Sequence, residues 1–149
     1  HNVYGPDMGW EHVLPQFVLR MRALANATED PVPFPIQGSG NETRAFVYID
    51  DFTDGLMMML EKGKHLSIYH IGNDEEVSIA TVAELVGAYF GRQISVVAGT
   101  LAEGGTLRRC PDISRLVALG FKPRIALRDG LPILARWYDE NAHQAPDKE

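Results

Sequence analysis

The stretch Gly38-Ser39-Gly40-Asn41-Glu42-Thr43-Arg44-Ala45-Phe46-Val47-Tyr48-Ile49-Asp50-Asp51 decides how the rest of the chain is read. Glycines at 38 and 40 permit a backbone with φ > 0, so the chain bends sharply there and its main chain can come close to a ligand. Residues 45–49 are apolar on both faces and partly β-branched, the pattern of a strand buried on both sides. Asp50 or Asp51 then caps a helix over 52–62, in which Phe52, Leu56, Met59 and Leu60 share one stripe and Gly63 ends the run. Arg44 stands where the turn stiffens into the strand. Its planar guanidinium suits a ligand offering two phosphate or carboxylate oxygens; on spacing alone it can equally pair with one of the 20 acidic residues.

Upstream of this stretch, residues 2–9 are rich in turn formers, with Gly5-Pro6-Asp7 as a tight reversal leaving a buried strand. Residues 11–24 place Val13, Phe17, Met21 and Leu24 at helical spacing, and Pro15 fits if it lies in the first turn. Arg20 and Arg22 are expected on the wet side of that helix, with a ligand-facing arginine as the alternative. Residues 33–36, with two prolines, can only be an edge or irregular strand, because proline donates no ladder hydrogen bond.

Downstream, 66–72 reads as a strand. Ser78 caps a helix with Ile79, Val82, Ala83, Val86 and Phe90 on one face and Gly91 at its end. Residues 93–98 have β-branched strand content, and 101–110 are irregular. Asp112 caps a short helix over 113–119, stopped by Gly120. A last helix starts at Asp129 with Leu131, Leu134, Ala135 and Tyr138 at i, i+3, i+4 and i+7. Residues 142–149 are expected to be a disordered tail. Strands alternating with helices predict one α/β domain over 1–149 with mixed and parallel pairing.

The chain has 149 residues, 45 % hydrophobic and 23 % charged, with a net charge of −6. That composition is globular, and the negative balance without a basic stripe excludes general nucleic-acid binding. No apolar run approaches the length of a membrane span. The single Cys110 excludes an internal disulfide and fits a reducing, cytoplasmic setting. His1, His12, His65, His70 and His143 show no ligand spacing with one another or with Cys110, so no metal site is expected. Nucleophile elbow, P-loop and G-x-G-x-x-G are all missing; after Gly38-Ser39-Gly40 the third glycine is absent, and the turn opens a strand where a dinucleotide fingerprint opens a helix. None of Tyr4, Tyr48, Tyr69, Tyr89 and Tyr138 is followed four residues later by lysine. The pairs Asp50-Asp51 and Glu75-Glu76 read as caps and solvated charges rather than as an acid–base pair.

Taken in order, several segments resemble those of one family. They are Asn2-Val3-Tyr4-Gly5-Pro6, Val13-Leu14-Pro15-Gln16-Phe17, the run from Gly38 through Arg44 to Asp51, Tyr69-His70-Ile71-Gly72-Asn73, and Arg109-Cys110-Pro111-Asp112-Ile113-Ser114, followed by Leu119-Gly120-Phe121-Lys122-Pro123 and Gly130-Leu131. The order resembles the C-terminal portion of the extended short-chain dehydrogenase/reductases, the NAD-dependent epimerases and dehydratases of sugar nucleotides. The resemblance implies an extended Rossmann-type fold lacking its N-terminal cofactor-binding half. It also implies that Asn2 helps hold the sugar nucleotide, that Val13, Leu14 and Pro15 lie against the base, that Arg44 binds the diphosphate with Arg108 or Arg109, and that Gln37 and Gly38 line the nucleotide side. The glycine fingerprint and the Y-x-x-x-K pair are absent, so the chain is expected to be catalytically incomplete. NAD or NADP is expected in the full-length enzyme and not on this chain alone, and neither catalytic nor cofactor-binding residues are assigned. The partner expected is a nucleotide-diphosphate sugar, with no nucleic acid or membrane. A homodimer or swapped assembly is expected because the strands ending at Asn2 and Gly72 would leave bare edges. The alternative is a stand-alone, non-catalytic nucleotide-sugar-binding or interaction module.

Overall fold

The computed structural model describes residues 1–101 and 104–146. Three helices, α1 (Val13–Ala23), α3 (Ile79–Tyr89) and α5 (Leu127–Glu140), pack on one another around the main core. Among the described residues, seven short strands run between and beside them: β1 (Val3–Tyr4), β2 (Val32–Pro35), β3 (Thr43–Ala45), β4 (Val47–Tyr48), β5 (Glu76–Ser78), β6 (Ile94–Val97) and β7 (Arg108–Arg109). α2 (Ile49–Lys62) and α4 (Ser114–Val117) complete the chain, followed by one 3₁₀ turn, Ala142–Gln144. That turn occupies the start of the tail expected to be disordered; 147–149 lie outside the described residues.

The strands form three small sheets. β1 pairs with β4 and β2 with β6, both parallel, while β3 lies between an antiparallel β5 and a parallel β7. The α/β arrangement with mixed and parallel pairing is therefore present. Proline at 33 and 35 is accommodated because β2 has a partner on one side only. Val32 and Phe34 point into the core, and both prolines face outward.

α1 carries Pro15 in its first turn, where the missing N–H costs nothing. Its core stripe is Leu14, Phe17, Val18 and Met21, one step round from the expected Val13, Phe17, Met21 and Leu24. Val13 turns instead into a cavity, because this helix serves the core with one face and a cleft with the next. α3 begins as expected: Ser78 Oγ accepts from Thr81 N at 3.0 Å, and Ile79, Val82, Ala83 and Val86 are buried. α5 starts two residues before Asp129 and buries Leu131, Leu134, Ala135 and Tyr138 as the spacing predicts. A fully buried Phe34, Leu131 or Leu134 each contributes about 1.5–3 kcal/mol by leaving water.

Four expectations for the stretch 45–72 fail. The strand over 45–49 is instead two strands in two different sheets. β3 stays with β5 and β7, then the chain changes partner at the buried Phe46, Val47 N donates to Asn2 O at 3.2 Å, and α2 begins at Ile49. Asp50 and Asp51 consequently fall inside the first turn of α2, and the N-cap, Tyr48, makes no side-chain cap bond. Asp51 reaches across to another segment, where its Oδ2 accepts from Arg124 N and Ile125 N at 2.9 Å each.

The stripe expected on α2 also shifts, since Leu60 is 68 % exposed. Gly55, Met58 and Met59 face a second apolar cluster formed by Ile113, Leu116 and Phe121. A Cβ at Gly55 would stand 2.7 Å from Ile71 Cγ2, so only glycine allows that approach. Finally, 66–72 makes no strand. Leu66 has φ +58 and is 91 % exposed, and no ladder partner meets the segment among the described residues. Strand propensity without a neighbouring edge yields only extended backbone.

Candidate functional site

β3 and β7 are paired so that Arg44 stands opposite Arg109. That register sets two guanidinium groups on the wall of one cavity of about 540 Å³. The remaining wall is built from the second face of α1, Val13, Gln16, Phe17 and Arg20, with Asn2, Gln37, Glu42, Phe46 and Ile79 from the surrounding turns and strands. Spacing of three and four residues along a helix puts Val13, Gln16, Phe17 and Arg20 on one side. A neighbouring cavity of about 320 Å³ shares Asn2, Val13, Phe46 and Arg109 with the first and adds Met8, His12 and Leu14. Arg109 and Asn2 thus stand at the junction of two chambers.

Of the nine residues singled out from sequence, Asn2, Val13, Gln37, Arg44 and Arg109 line the larger chamber, and Leu14 lines the smaller. Pro15 lies in the core face of α1, and Gly38 reaches neither chamber. Arg108, the alternative to Arg109, points elsewhere. Its Nε donates to both carboxylate oxygens of Glu76 at 3.0 Å, closing an ion pair on the outer side of the sheet. Adjacent residues on a strand face opposite sides, which is why one arginine of the pair is taken by Glu76 and the other faces the chamber.

Arg44 is held before any ligand arrives. Its guanidinium donates to Thr43 O and to Thr106 O, both at 2.7 Å, which fixes the head and leaves further N–H groups of its fork to spare. Burial, then the like charge of Arg109, push the Arg44 guanidinium below its ordinary value, and Glu42 opposes them. Among the described residues, neither Arg44 nor Arg109 forms an ion pair. Asn2, at φ +38, donates from Nδ2 to Ala45 O at 2.9 Å and so ties β1 to the point where the chain changes sheets.

Arg20 was expected in solvent and stands in the chamber wall. Its guanidinium lies 5.6 Å from the ring centres of both Phe17 and Phe34 and donates to Pro35 O. The signal was its position three residues beyond Phe17 on a helix whose two faces both work. Gln16, Glu42 and His12 were likewise missed. None of the five tyrosines lines either chamber. Burial raises Tyr4, Tyr48 and Tyr138 above their ordinary values, so none is set up to exchange a proton near neutrality.

Glu42 is 6 % exposed, and its carboxylate accepts from Ser39 N at 3.0 Å, Ser39 Oγ at 3.0 Å and Gly40 N at 2.9 Å. The bond from Ser39 N–H, aided by the Ser39 hydroxyl and Gly40 N–H and opposed by burial, holds its carboxyl down to about 2. Because the folded value lies below the ordinary 4.5, this group stabilises the fold fully above about pH 4.5 and ceases to as the pH falls toward 2. Thermal unfolding scanned from pH 5 to pH 2.5 should show a loss of stability in the wild type that is shallower in Glu42→Gln.

Comparison with known proteins gives the geometry a setting. The family described as "NAD dependent epimerase/dehydratase family" matches residues 1–72. GDP-L-fucose synthase 1 of Arabidopsis thaliana is 34 % identical over 145 residues, covering 94 % of this chain and 44 % of that protein. The chain is a relative of the NAD-dependent epimerases and dehydratases. In the dTDP-glucose 4,6-dehydratase DesIV of Streptomyces venezuelae, solved with NAD and TYD bound, an epimerase/dehydratase fold superposes with a TM-score of 0.81 at 29 % identity. The match covers 97 % of this chain and 43 % of that one. UDP-glucuronic acid 4-epimerase of Bacillus cereus, solved with UDP-glucuronic acid and NAD, gives 0.80 at 25 % identity, covering 94 % and 43 %. The chain therefore spans less than half the length of the epimerase/dehydratase relatives it matches. Among the described residues, no helix is long and apolar enough to cross a membrane.

Proposed function

We propose that this chain is the nucleotide-sugar-binding part of an NAD-dependent epimerase or dehydratase and supplies grip and orientation rather than the hydride step. One observation carries the reading: Arg44 and Arg109, set opposite each other by the β3–β7 register, line one chamber, and neither forms an ion pair among the described residues. Two like charges on one wall gain most from an anion that touches both, and a diphosphate has the oxygens for it. The larger chamber has the volume for a nucleoside against Val13, Phe17 and Gln37, and the junction at Asn2 and Arg109 leads to the smaller chamber for the sugar.

The residues present do not fit a dinucleotide. The glycine turn at 38–40 gives its N–H groups to Glu42 and opens a strand rather than a helix, and the 149 residues contain no Y-x-x-x-K. We assign NAD or NADP to other parts of a complete enzyme and derive no step through it here. In that enzyme, binding energy from the nucleotide and diphosphate would position the sugar for reaction.

Calorimetric titration of the 149-residue chain with UDP-, dTDP-, GDP- and CDP-sugars tests the proposal. Saturable 1:1 binding of one series supports it and names the base. Absence of binding by all four, with the chain folded, overturns it for this chain alone. We also propose that two copies of the chain associate; light scattering at micromolar concentration should report a mass above that of one chain.

A further inference from the structure

We propose that Glu42 is the positioning residue of this chamber: its carboxylate fills the anion nest of the 38–40 turn, so that the turn's N–H groups are withheld from a ligand and a diphosphate is directed to Arg44 and Arg109. The second half of this statement rests on the function proposed above; the first does not.

Successive backbone N–H groups in a turn with left-handed residues form a concavity suited to an anion. Here Gly38 has φ +79 and Gly40 φ +88, and the amides of Ser39 and Gly40 are aimed at the place of a single carboxylate group. That point is already taken. Oε1 of Glu42 receives Ser39 N and Oγ, and Oε2 receives Gly40 N, so both oxygens are engaged. A Cβ on Gly38 would stand 2.7 Å from Oε1, so glycine is needed there for the room it leaves the carboxylate as well as for its backbone angle. Glu42 and Gln37 line the chamber, whereas residues 38–40 do not.

Bracing the turn is not a sufficient account of Glu42. Three main-chain bonds already pin it: Gly99 N to Gly38 O at 3.0 Å, Ala80 N to Gly40 O at 2.9 Å and Ile79 N to Glu42 O at 2.9 Å. What the carboxylate adds is a fixed negative charge, matched to the nest and felt by Arg44. An internal anion in this place does to the turn what a bound phosphate would do, and it leaves the arginines of the chamber wall, Arg44 and Arg109 facing each other, as the cationic subsite.

The test is anion titration of the wild type and Glu42→Ala, followed through the amide resonances of Ser39 and Gly40 and through thermal unfolding. Sodium formate, inorganic phosphate and UDP or GDP are the probes. In the wild type, formate should leave both amides unmoved, and the diphosphates should shift the Arg44 and Arg109 guanidinium signals. In Glu42→Ala, formate and phosphate should move both amides saturably and raise the melting temperature toward that of the wild type. If Glu42→Ala unfolds in plain buffer, recovery of folding by formate reads the same property. Glu42→Gln, which keeps the shape and loses the charge, should lose most of the downfield shift of the two amide protons. Amides in Glu42→Ala that ignore formate and phosphate, or unchanged amide shifts in Glu42→Gln, overturn the nest. Diphosphate that moves the Ser39 and Gly40 amides of the wild type but not the guanidinium signals overturns the steering. If no diphosphate binds the wild type, formate still decides the nest, and the functional reading is what has failed.

Discussion

Asp51→Ala is expected to lower the unfolding free energy by about 3 kcal/mol and the melting temperature by about 10 °C. Asp51 is 1 % exposed, and its Oδ2 is the acceptor for two backbone N–H groups, those of Arg124 and Ile125, where the chain enters α5. Truncation takes the partner from two half-buried donors, and the loss of a hydrogen bond to a charged acceptor costs about 1.5–3 kcal/mol. The ion pair is the lesser part. Arg124 Nε stands 3.5 Å from Asp51 Oδ1, but the Arg124 side chain is 64 % exposed, so solvent screens it and Arg124→Ala should cost less than about 1 kcal/mol. Oδ1 itself has no hydrogen-bond partner. Asp51→Asn, which keeps the acceptor and drops the charge, should fall between the two. Denaturant unfolding of the three variants separates these contributions; equal losses in Asp51→Ala and Arg124→Ala would mean that the charge, not the backbone capture, holds α2 to α5.

Arg44→Ala and Arg109→Ala should each weaken nucleoside diphosphate binding by about tenfold to a hundredfold, the worth of a hydrogen bond to a charged group of about 1.5–3 kcal/mol. Arg108→Ala should change affinity less than twofold, because that guanidinium is already committed to Glu76. The double variant should lose less than the sum, since both arginines act on one diphosphate and the second loss removes an interaction already weakened. Arg44→Lys should not restore the wild-type value. A point charge keeps the attraction but forfeits the fork that holds Thr43 O and Thr106 O while reaching the ligand. Calorimetry on the four single variants and the double variant reads all of this, and equal effects of Arg108→Ala and Arg109→Ala would contradict the strand register as the selector.

Much of the helical framework was legible in the residues. Ser78 caps α3, the spacing of Leu131, Leu134, Ala135 and Tyr138 buries α5, and Pro15 marks the first turn of α1, because each depends on contacts within a few residues along the chain. Arg44 and the Asn2 segment were recognisable from the order of motifs, and six of the nine residues singled out line one of the two chambers.

What the sequence by itself determined is the periodicity of the helices, the glycines of the 38–40 turn and the absence of a cofactor fingerprint. Tertiary structure alone decided the rest, for one physical reason: strands and charged side chains are defined by partners distant in sequence. Residues 45–49 read as one strand until β5 pairs with Ala45 and β1 with Val47 and Tyr48 on the two sides of Phe46, and 66–72 read as a strand but meet no edge. Arg108 and Arg109 are indistinguishable as neighbours until Glu76, 32 residues away from Arg108, takes one of them. Glu42 carries no signal of its own until the turn folds its N–H groups onto the carboxylate, and Asp51 looks like a helix cap until Arg124 and Ile125 arrive from the far end of the chain.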